Sequence, residues 1–272
     1  MNRDTDFSSA PSLTIDRAIA NLQQTEDTGD RYYAAWWLGR FRVRDRAAIE
    51  ALIAALEDTT DRSPDGGYPL RRNAAKALGK LGDRAAVSPL IECLHCDDYY
   101  VRESAAQALE QLGDRAAISP LLRLLEGGVE AAVRVPGKPY LVQPYEAAIE
   151  ALGTIGATEA ITEIEPFLAH SVEKVQYAAA RALFQLTGKV EYGDRLVAAL
   201  TGPKLQSRRA ALLDLGAIGY EGAAEAIAKT FAENSLKLIS LKGILEAHLE
   251  RNDNAQIDDR AVEMMALMDS LL

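Results

Sequence analysis

The sequence predicts an all-α protein: a right-handed α-solenoid of stacked helix pairs forming one domain over residues 1–272. Three observations carry this. The chain repeats itself, because LGDRAAVSPL begins at Leu81 and LGDRAAISPL at Leu112, 31 residues apart, with only Val87 against Ile118 between them. Its composition favours helices, since 46 Ala and 35 Leu make up nearly a third of the 272 residues and both are strong helix formers. Apolar residues recur at helical spacing between residues suited to helix ends. A helix pair of about 31 residues cannot bury its apolar face alone, whereas stacked pairs share a continuous core.

Taken in order, residues 1–30 are expected to cap the stack. The segment Arg31 to Gly39 then opens a signature of the form R-x-x-A-A-x-x-L-G, through Arg31, Ala34, Ala35, Leu38 and Gly39. A degenerate repeat core, VRDRAAIEAL, begins at Val43. The signature returns at Arg71, Ala74, Ala75, Leu78 and Gly79, and again at Arg102, Ala105, Ala106 and Leu109, where Glu110 replaces the glycine. Weaker copies place the leucine at Leu152, Leu183 and Leu215, so the spacings are 40, 31, 43, 31 and 32 residues. Two units therefore carry insertions. One is DTTDRSPDGGYP around Gly66 and Gly67, and the other is GGVEAAVRVPGKPYLVQP, from Gly127 to Pro144.

Each unit reads as a helix A followed by a helix B. In the best-kept copy, helix A is expected over about Ser88 to Leu94, capped by Ser88, with Pro89 in the first turn where its missing N–H costs nothing. Helix B is expected over Tyr99 to Gln111 behind an Asp97–Asp98 cap. Val101, Ala105, Ala108 and Leu112 form its buried face, and the small alanines let neighbouring helices approach. Gly82 and Gly113 are expected to close their helices. Six units are recognisable, and residues 236–272 form a C-terminal cap in which RNDNAQIDDR links two helices.

The charge balance is 30 basic against 40 acidic residues, net −10. That argues against nucleic acid, whose phosphates require a basic face, and against an anionic membrane surface. No apolar run reaches the roughly 18–20 residues of a membrane span. The polar, acidic start MNRDTDFSSAPSLTID lacks the apolar stretch of a secretory signal. Two cysteines three apart, Cys93 and Cys96, do not make a disulfide scaffold, so a reducing cytosol is expected.

Three clusters could carry chemistry. RYYAAWWLGRF, Arg31 to Phe41, holds both tryptophans and two of ten tyrosines. Ala34, Leu38 and Phe41 share a face that suits the core, while Tyr33, Trp36, Trp37 and Arg40 fall on adjoining and opposite faces. Either Trp37 is core and Trp36 packs on the N-terminal cap, or the aromatics are a platform for a flat ligand or a partner protein. GGYPLRRNAAKALG places Tyr68, Arg71 and Arg72 at a helix start. Cations there oppose the helix dipole. They serve either a ladder to Asp45, Asp83 and Asp114 that ties the units together, or a carboxylate site. ECLHCDDYYVRE, Glu92 to Glu103, offers Cys93, His95 and Cys96, too few ligands for a structural zinc, so Cys93 is expected in the core and no metal is expected. Tyr99, Tyr100 and Arg102 repeat the aromatic-plus-arginine theme. No G-x-S-x-G, phosphate-cradling loop or H-E-x-x-H occurs.

The stretch RYYAAWWLGRFRV, with ALIAALEDTTDRSPDGGYPLRRNAAKALGKLGDRAAVSPLI after it, resembles the E subunit of the heterodimeric E/F-type phycocyanobilin lyases, HEAT-like repeat proteins of cyanobacteria. The similarity runs from about Thr28 to the end. It implies HEAT-like helix pairs and a partnership with an F-type lyase subunit. Together the two attach phycocyanobilin, an open-chain tetrapyrrole, to a cysteine of the apo-phycocyanin α subunit through a thioether. Phycocyanobilin is then the substrate, and no cofactor is implied. The motif for isomerisation lies on the F subunit. The resemblance implies that Arg31, Arg71, Arg72 and Arg102 hold the bilin propionates and that Tyr32, Tyr33, Trp36, Trp37, Tyr68 and Tyr99 cover its rings. It also implies that the acceptor supplies the thiol while a carboxylic acid or tyrosine gives the proton. The alternative is a non-catalytic repeat scaffold or bilin chaperone.

Overall fold

The computed structural model describes residues 13–252 and 257–272. Within them the regular structure is all helical, apart from one isolated antiparallel bridge between Arg134 and Leu141. Its contacts form two compact units, Met1–Asp114 and Arg115–Leu272. The division falls in a turn between consecutive repeats, just after Gly113, with no linker between them.

The first unit contains three helix pairs: α1 (Ile15–Gln23) with α2 (Thr28–Arg40), α3 (Arg46–Ala55) with α4 (Pro69–Leu81), and α5 (Val87–Cys93) with α6 (Tyr99–Leu112). Of the expected N-terminal cap, residues 1–12 lie outside the described residues, and α1 supplies the rest. Thr14 caps α1 by accepting from the Arg17 N–H at 3.3 Å, and Ala18 and Leu22 turn inward. Asp27 caps α2 and Asp45 caps α3, each accepting from the N–H three residues on. These caps satisfy donors that a helix start leaves unpaired.

The signature alanines and leucines are core. Ala34, Ala35, Leu38, Ala74, Ala75, Leu78, Ala105, Ala106 and Leu109 are all buried. The signature glycine answers a packing need between successive helices B. A Cβ on Gly39 would sit 2.8 Å from the Ala77 Cα, and one on Gly79 would sit 2.8 Å from the Ala108 Cα. Only hydrogen at that position lets the backbones approach this closely. Gly82 and Gly113 close α4 and α6 at φ 73° and 65°.

Three local expectations change. Ser88 does not cap helix A. Asp83 accepts from the Ala85 N–H at 2.8 Å, the chain makes one 3₁₀ turn over Arg84–Ala86, and α5 begins at Val87 with Pro89 still in its first turn. In α6, Asp98 caps as expected, but Leu112 is only half-buried. Asp45 and Asp83 are helix caps rather than rungs of an arginine ladder.

The second unit opens on α7 (Ile118–Arg123), followed by the short α8 (Gly128–Ala131) inside the second insertion and by α9 (Tyr145–Ile155). His170 anchors that insertion: its Nε2–H donates to the Ala132 carbonyl at 2.8 Å while Nδ1 accepts from the Val172 N–H at 3.0 Å. The stack continues through α10 (Ile161–Ile164), α11 (Glu173–Thr187), α12 (Val190–Ala199), α13 (Leu205–Ala217) and α14 (Ala224–Lys229). Gly153 lies against Ala182 as Gly39 lies against Ala77. The C-terminal cap is a helix pair as expected, α15 (Asn234–Arg251) and α16 (Asp259–Asp269). Residues 253–256 of the segment between them lie outside the described residues. Met264 of α16 joins the core of Leu196, Leu212, Leu215, Ile227, Leu241 and Ile244. No helix among the described residues is long and apolar enough to cross a membrane.

Candidate functional site

On α2, Arg31, Ala34, Ala35 and Leu38 take the inner side. Helical geometry then leaves Tyr32, Tyr33 and Trp36 facing solvent, and they are 47%, 49% and 44% exposed. Tyr33 and Trp36 stack at 5.5 Å between ring centroids, with 28° between planes. Trp37 is half-buried and leans on Phe41 at 5.2 Å. The aromatic cluster thus divides: Trp37 sits at the edge of the core, Tyr32, Tyr33 and Trp36 are presented outward, and Phe41, expected on the core face, is exposed just past the end of the helix.

The repeat register decides what lies beside them. Arg31, Arg71 and Arg102 are equivalent, so Tyr32 corresponds to Arg72 and Glu103, and Trp36 to Lys76 and Gln107. Arg72 and Lys76 are four apart on α4 and share a face. The Arg72 guanidinium lies 4.8 Å from the Tyr100 ring centroid, and it forms no ion pair among the described residues. Lys76 is held below the usual lysine pKa, chiefly by burial and then by the charge of Arg72, against the opposing influence of Glu103 and Tyr32. An outward strip therefore runs from Tyr32, Tyr33 and Trp36 on α2 to Arg72 and Lys76 on α4 and Glu103 on α6. Sequence reasoning missed Lys76 and Glu103. The available signal was the register itself, which sets Lys76 level with Trp36.

The other three arginines do a different job. Arg31 is only 5% exposed. Its guanidinium donates to the Asp58 carboxylate at 2.5 Å, to the Thr60 hydroxyl at 3.0 Å and to the Leu22 carbonyl at 3.2 Å. Burial pushes the Asp58 carboxyl upward, but hydrogen bonds from Arg31, the Asp61 N–H and Thr60, with the charge of Arg31, outweigh it and hold the group below its ordinary pKa. Arg71 donates to the carbonyls of Asp58 at 2.6 Å and Glu57 at 3.1 Å, and Arg102 to those of Cys96 at 2.7 Å and Asp97 at 3.1 Å. Each closes the exposed carbonyl end of the preceding helix A, where a cation is favourable. In the second unit Arg208, seven residues before Leu215 as Arg31 is before Leu38, donates to the Gly202 carbonyl at 2.6 Å. This repeat position ties helix A to helix B.

Tyr68 lies near the end of the first insertion, whose turn uses Gly66 at φ 89°. Its N–H donates to Asp98 at 2.7 Å, and its ring lies between the guanidinium carbons of Arg62 at 4.0 Å and Arg71 at 4.3 Å. The Tyr99 hydroxyl donates to Glu103 at 3.5 Å, and its ring meets Tyr100 edge-on at 5.4 Å. The Arg102 guanidinium carbon stands 6.0 Å from the Tyr99 ring.

A groove of about 480 Å³ opens where Leu56, Glu57, Arg71, Pro89, Cys93 and Cys96 meet. Burial pushes the Cys93 thiol up to about 12 and also raises Cys96. Both are therefore thiols rather than thiolates at neutral pH, and thiols are poor nucleophiles. Among the described residues no group of three or more His, Cys, Asp or Glu side chains could hold a metal ion.

Comparison with known proteins gives this geometry a context. Residues 62–135 match the HEAT repeat family, and residues 30–58 and 144–170 match the PBS lyase HEAT-like repeat. The chain is 67% identical to "Phycocyanobilin lyase subunit alpha" of Picosynechococcus sp. over 268 residues, covering 98% of this chain and 100% of that one. It is 63% identical to the same subunit of Synechocystis sp., covering 96% and 97%. Among solved structures it is similar to a chain in the complex of CpcE and CpcF of phycocyanin lyase from Nostoc sp. PCC7120, with a TM-score of 0.90, 59% identity and 100% of both chains covered. Identity this high over almost the entire length places the chain in one family: it belongs to the phycocyanobilin lyase alpha subunits, which are built of HEAT-like repeats.

Proposed function

We propose that the chain acts with an F-type subunit as a heterodimeric lyase. The pair joins phycocyanobilin through a thioether to a cysteine of the apo-phycocyanin α subunit. The observation that carries this reading is the strip on α2 and α4, where three exposed aromatic rings stand beside two cations that lack a carboxylate partner among the described residues. A bilin is a flat conjugated ligand bearing two propionates, so it matches a surface of rings next to positive charge. The acceptor thiol adds across the ethylidene double bond. Sulfur bonds to one carbon and the proton reaches the other, so no electrons are gained or lost. The chain's part is to hold the bilin at a fixed angle to the incoming thiol, and such positioning supplies much of the rate gain when two reactants meet. The raised pKa values of Cys93 and Cys96 support a thiol that comes from the acceptor.

Of the arginines expected to hold propionates, Arg72 remains in this role. Arg31, Arg71 and Arg102 have their donors committed to Asp58 and to main-chain carbonyls. The decisive experiment is co-expression of the chain, its F-type subunit, apo-phycocyanin α subunit and the enzymes of bilin synthesis. A covalent, zinc-fluorescent α-subunit band in a denaturing gel is expected. It should vanish when the chain is omitted and weaken strongly with Trp36→Ala. A band of undiminished strength without the chain would reduce it to a scaffold.

A further inference from the structure

Lys76 and Arg72 make an unusual pair. They stand four apart on one helix face, where like charges disfavour the helix. Lys76 is half-buried, and neither residue forms an ion pair among the described residues. Glu103 on α6 is close enough to influence Lys76, yet its carboxylate instead accepts the Tyr99 hydroxyl. Between them in sequence, and three residues before Lys76, Asn73 carries a buried side-chain amide nitrogen with no acceptor. Three donors thus lie together on one part of α4: two half-buried cations without an ion pair among the described residues, and one buried amide nitrogen without an acceptor. Leaving the buried amide unsatisfied is costly. The Tyr32 side chain is close enough to act on Lys76, and Tyr32 and Trp36 present exposed rings on the neighbouring α2.

We infer that Lys76, together with Arg72, forms the carboxylate-binding end of the strip, and that Lys76 positions the bilin by holding one of its propionates. This rests on the strip being the bilin-facing surface. A propionate there neutralises the repulsion between the two cations. It also fixes the ligand in rotation on the aromatic rings, which stacking alone leaves free. Lys76 is a positioning residue in this scheme: it touches the ligand far from the carbon that receives sulfur.

The test uses the complex of the full chain with its F-type subunit, titrated with phycocyanobilin as the free diacid and as its dimethyl ester, and followed by visible absorption. Wild type should bind the diacid about tenfold more tightly than the diester, the discrimination expected of a charge-assisted contact. Lys76→Met keeps the aliphatic stem and should remove most of that preference while binding the diester as wild type does. Lys76→Arg should restore it. Unchanged melting temperatures would separate these effects from folding. If Lys76→Met retained the full wild-type preference for the diacid, the inference would be overturned and the strip left standing. If Trp36→Ala bound the diester as tightly as wild type, the strip itself would fail as the bilin surface, and the role of Lys76 with it.

Discussion

Arg31 and Arg72 are each the fourth residue of their helix, yet the chain uses them oppositely. α4 begins one residue later in the repeat than α2, so Arg31 aligns with Arg71 and turns inward, while Arg72 takes the outward place of Tyr32. The sequence displays the arginines and even their shared position, but a guanidinium reaches several ångströms. Which carbonyl it meets depends on where the preceding helix stops. That is why all four arginines read alike beforehand, and why Lys76, an ordinary lysine in a helix, drew no notice. The rings were more legible, because Ala34, Ala35 and Leu38 already claim the core side of α2. Two residue-level predictions follow from these roles. Arg31→Leu should destabilise the first unit by about 3 kcal/mol by leaving Asp58 buried without its cation, measured by urea unfolding. Since the Asp58 pKa is lowered in the fold, the pair's contribution is present above the ordinary carboxylate range and is lost as pH falls through the folded value. The variant should therefore lose part of the acid-side slope of stability. Replacing Cys93 and Cys96 together by serine should leave bilin attachment largely intact in the co-expression assay, at a packing cost of about 1–3 kcal/mol. Loss of attachment from a folded double variant would point to a covalent step on this chain.

At the level of elements, helix existence was plain from the repeats and helix starts were not. Asp83 and Ser88 are both good capping residues, and both precede the same apolar run. Asp83 prevails because the chain can make a 3₁₀ turn before α5, a choice that leaves no mark on apolar periodicity. The contact between helices B was half-visible. The alanine pair announced close approach, but the pattern alone gave the glycine of the signature no role, whereas Gly39 and Gly79 lie inside α2 and α4 and meet Ala77 and Ala108. Gly39→Val should therefore force α2 and α4 apart, lowering stability by about 1–3 kcal/mol through overpacking and shifting the urea midpoint without changing its slope. The same substitution at exposed Lys80, one turn end away on α4, should change stability by well under 1 kcal/mol.

For the molecule as a whole, the repeat, the composition and the helical spacing of apolar residues were enough to give the fold class, whereas the closure of its C-terminal end was hidden in polar residues that periodicity ignores. His248 of α15 is 8% exposed and lies between two carboxylates from different elements, Nδ1 at 3.0 Å from Glu221 and Nε2 at 3.0 Å from Asp258. Neutral imidazole has one N–H and can donate to only one of them, while imidazolium donates to both. The hydrogen bonds to Glu221 and Asp258, followed by their charges, raise the pKa of His248 against the opposing effect of burial. Two further cations face the cluster: Arg251 lies 3.6 Å from Glu221, and Arg260 donates to the Glu221 carbonyl at 3.0 Å. Asp258 is also the cap of α16, accepting from the Ala261 N–H at 2.9 Å, so the charge on His248 bears directly on whether the last helix stays docked. A pKa raised on folding contributes stability in full below the unfolded value, near 6.5, and loses it as pH rises through the folded value. Hydrogen exchange of the α16 amides should accordingly speed up as pH rises above the ordinary histidine value, beyond the intrinsic rise of exchange with pH. In His248→Gln, which keeps one hydrogen bond but cannot carry charge, α16 should be less protected at pH 6 and show no such additional step. An α16 protection profile in the variant that matched wild type at both pH values would show that the last helix is held by its apolar packing, through Met264, Leu267 and Met268, rather than by His248.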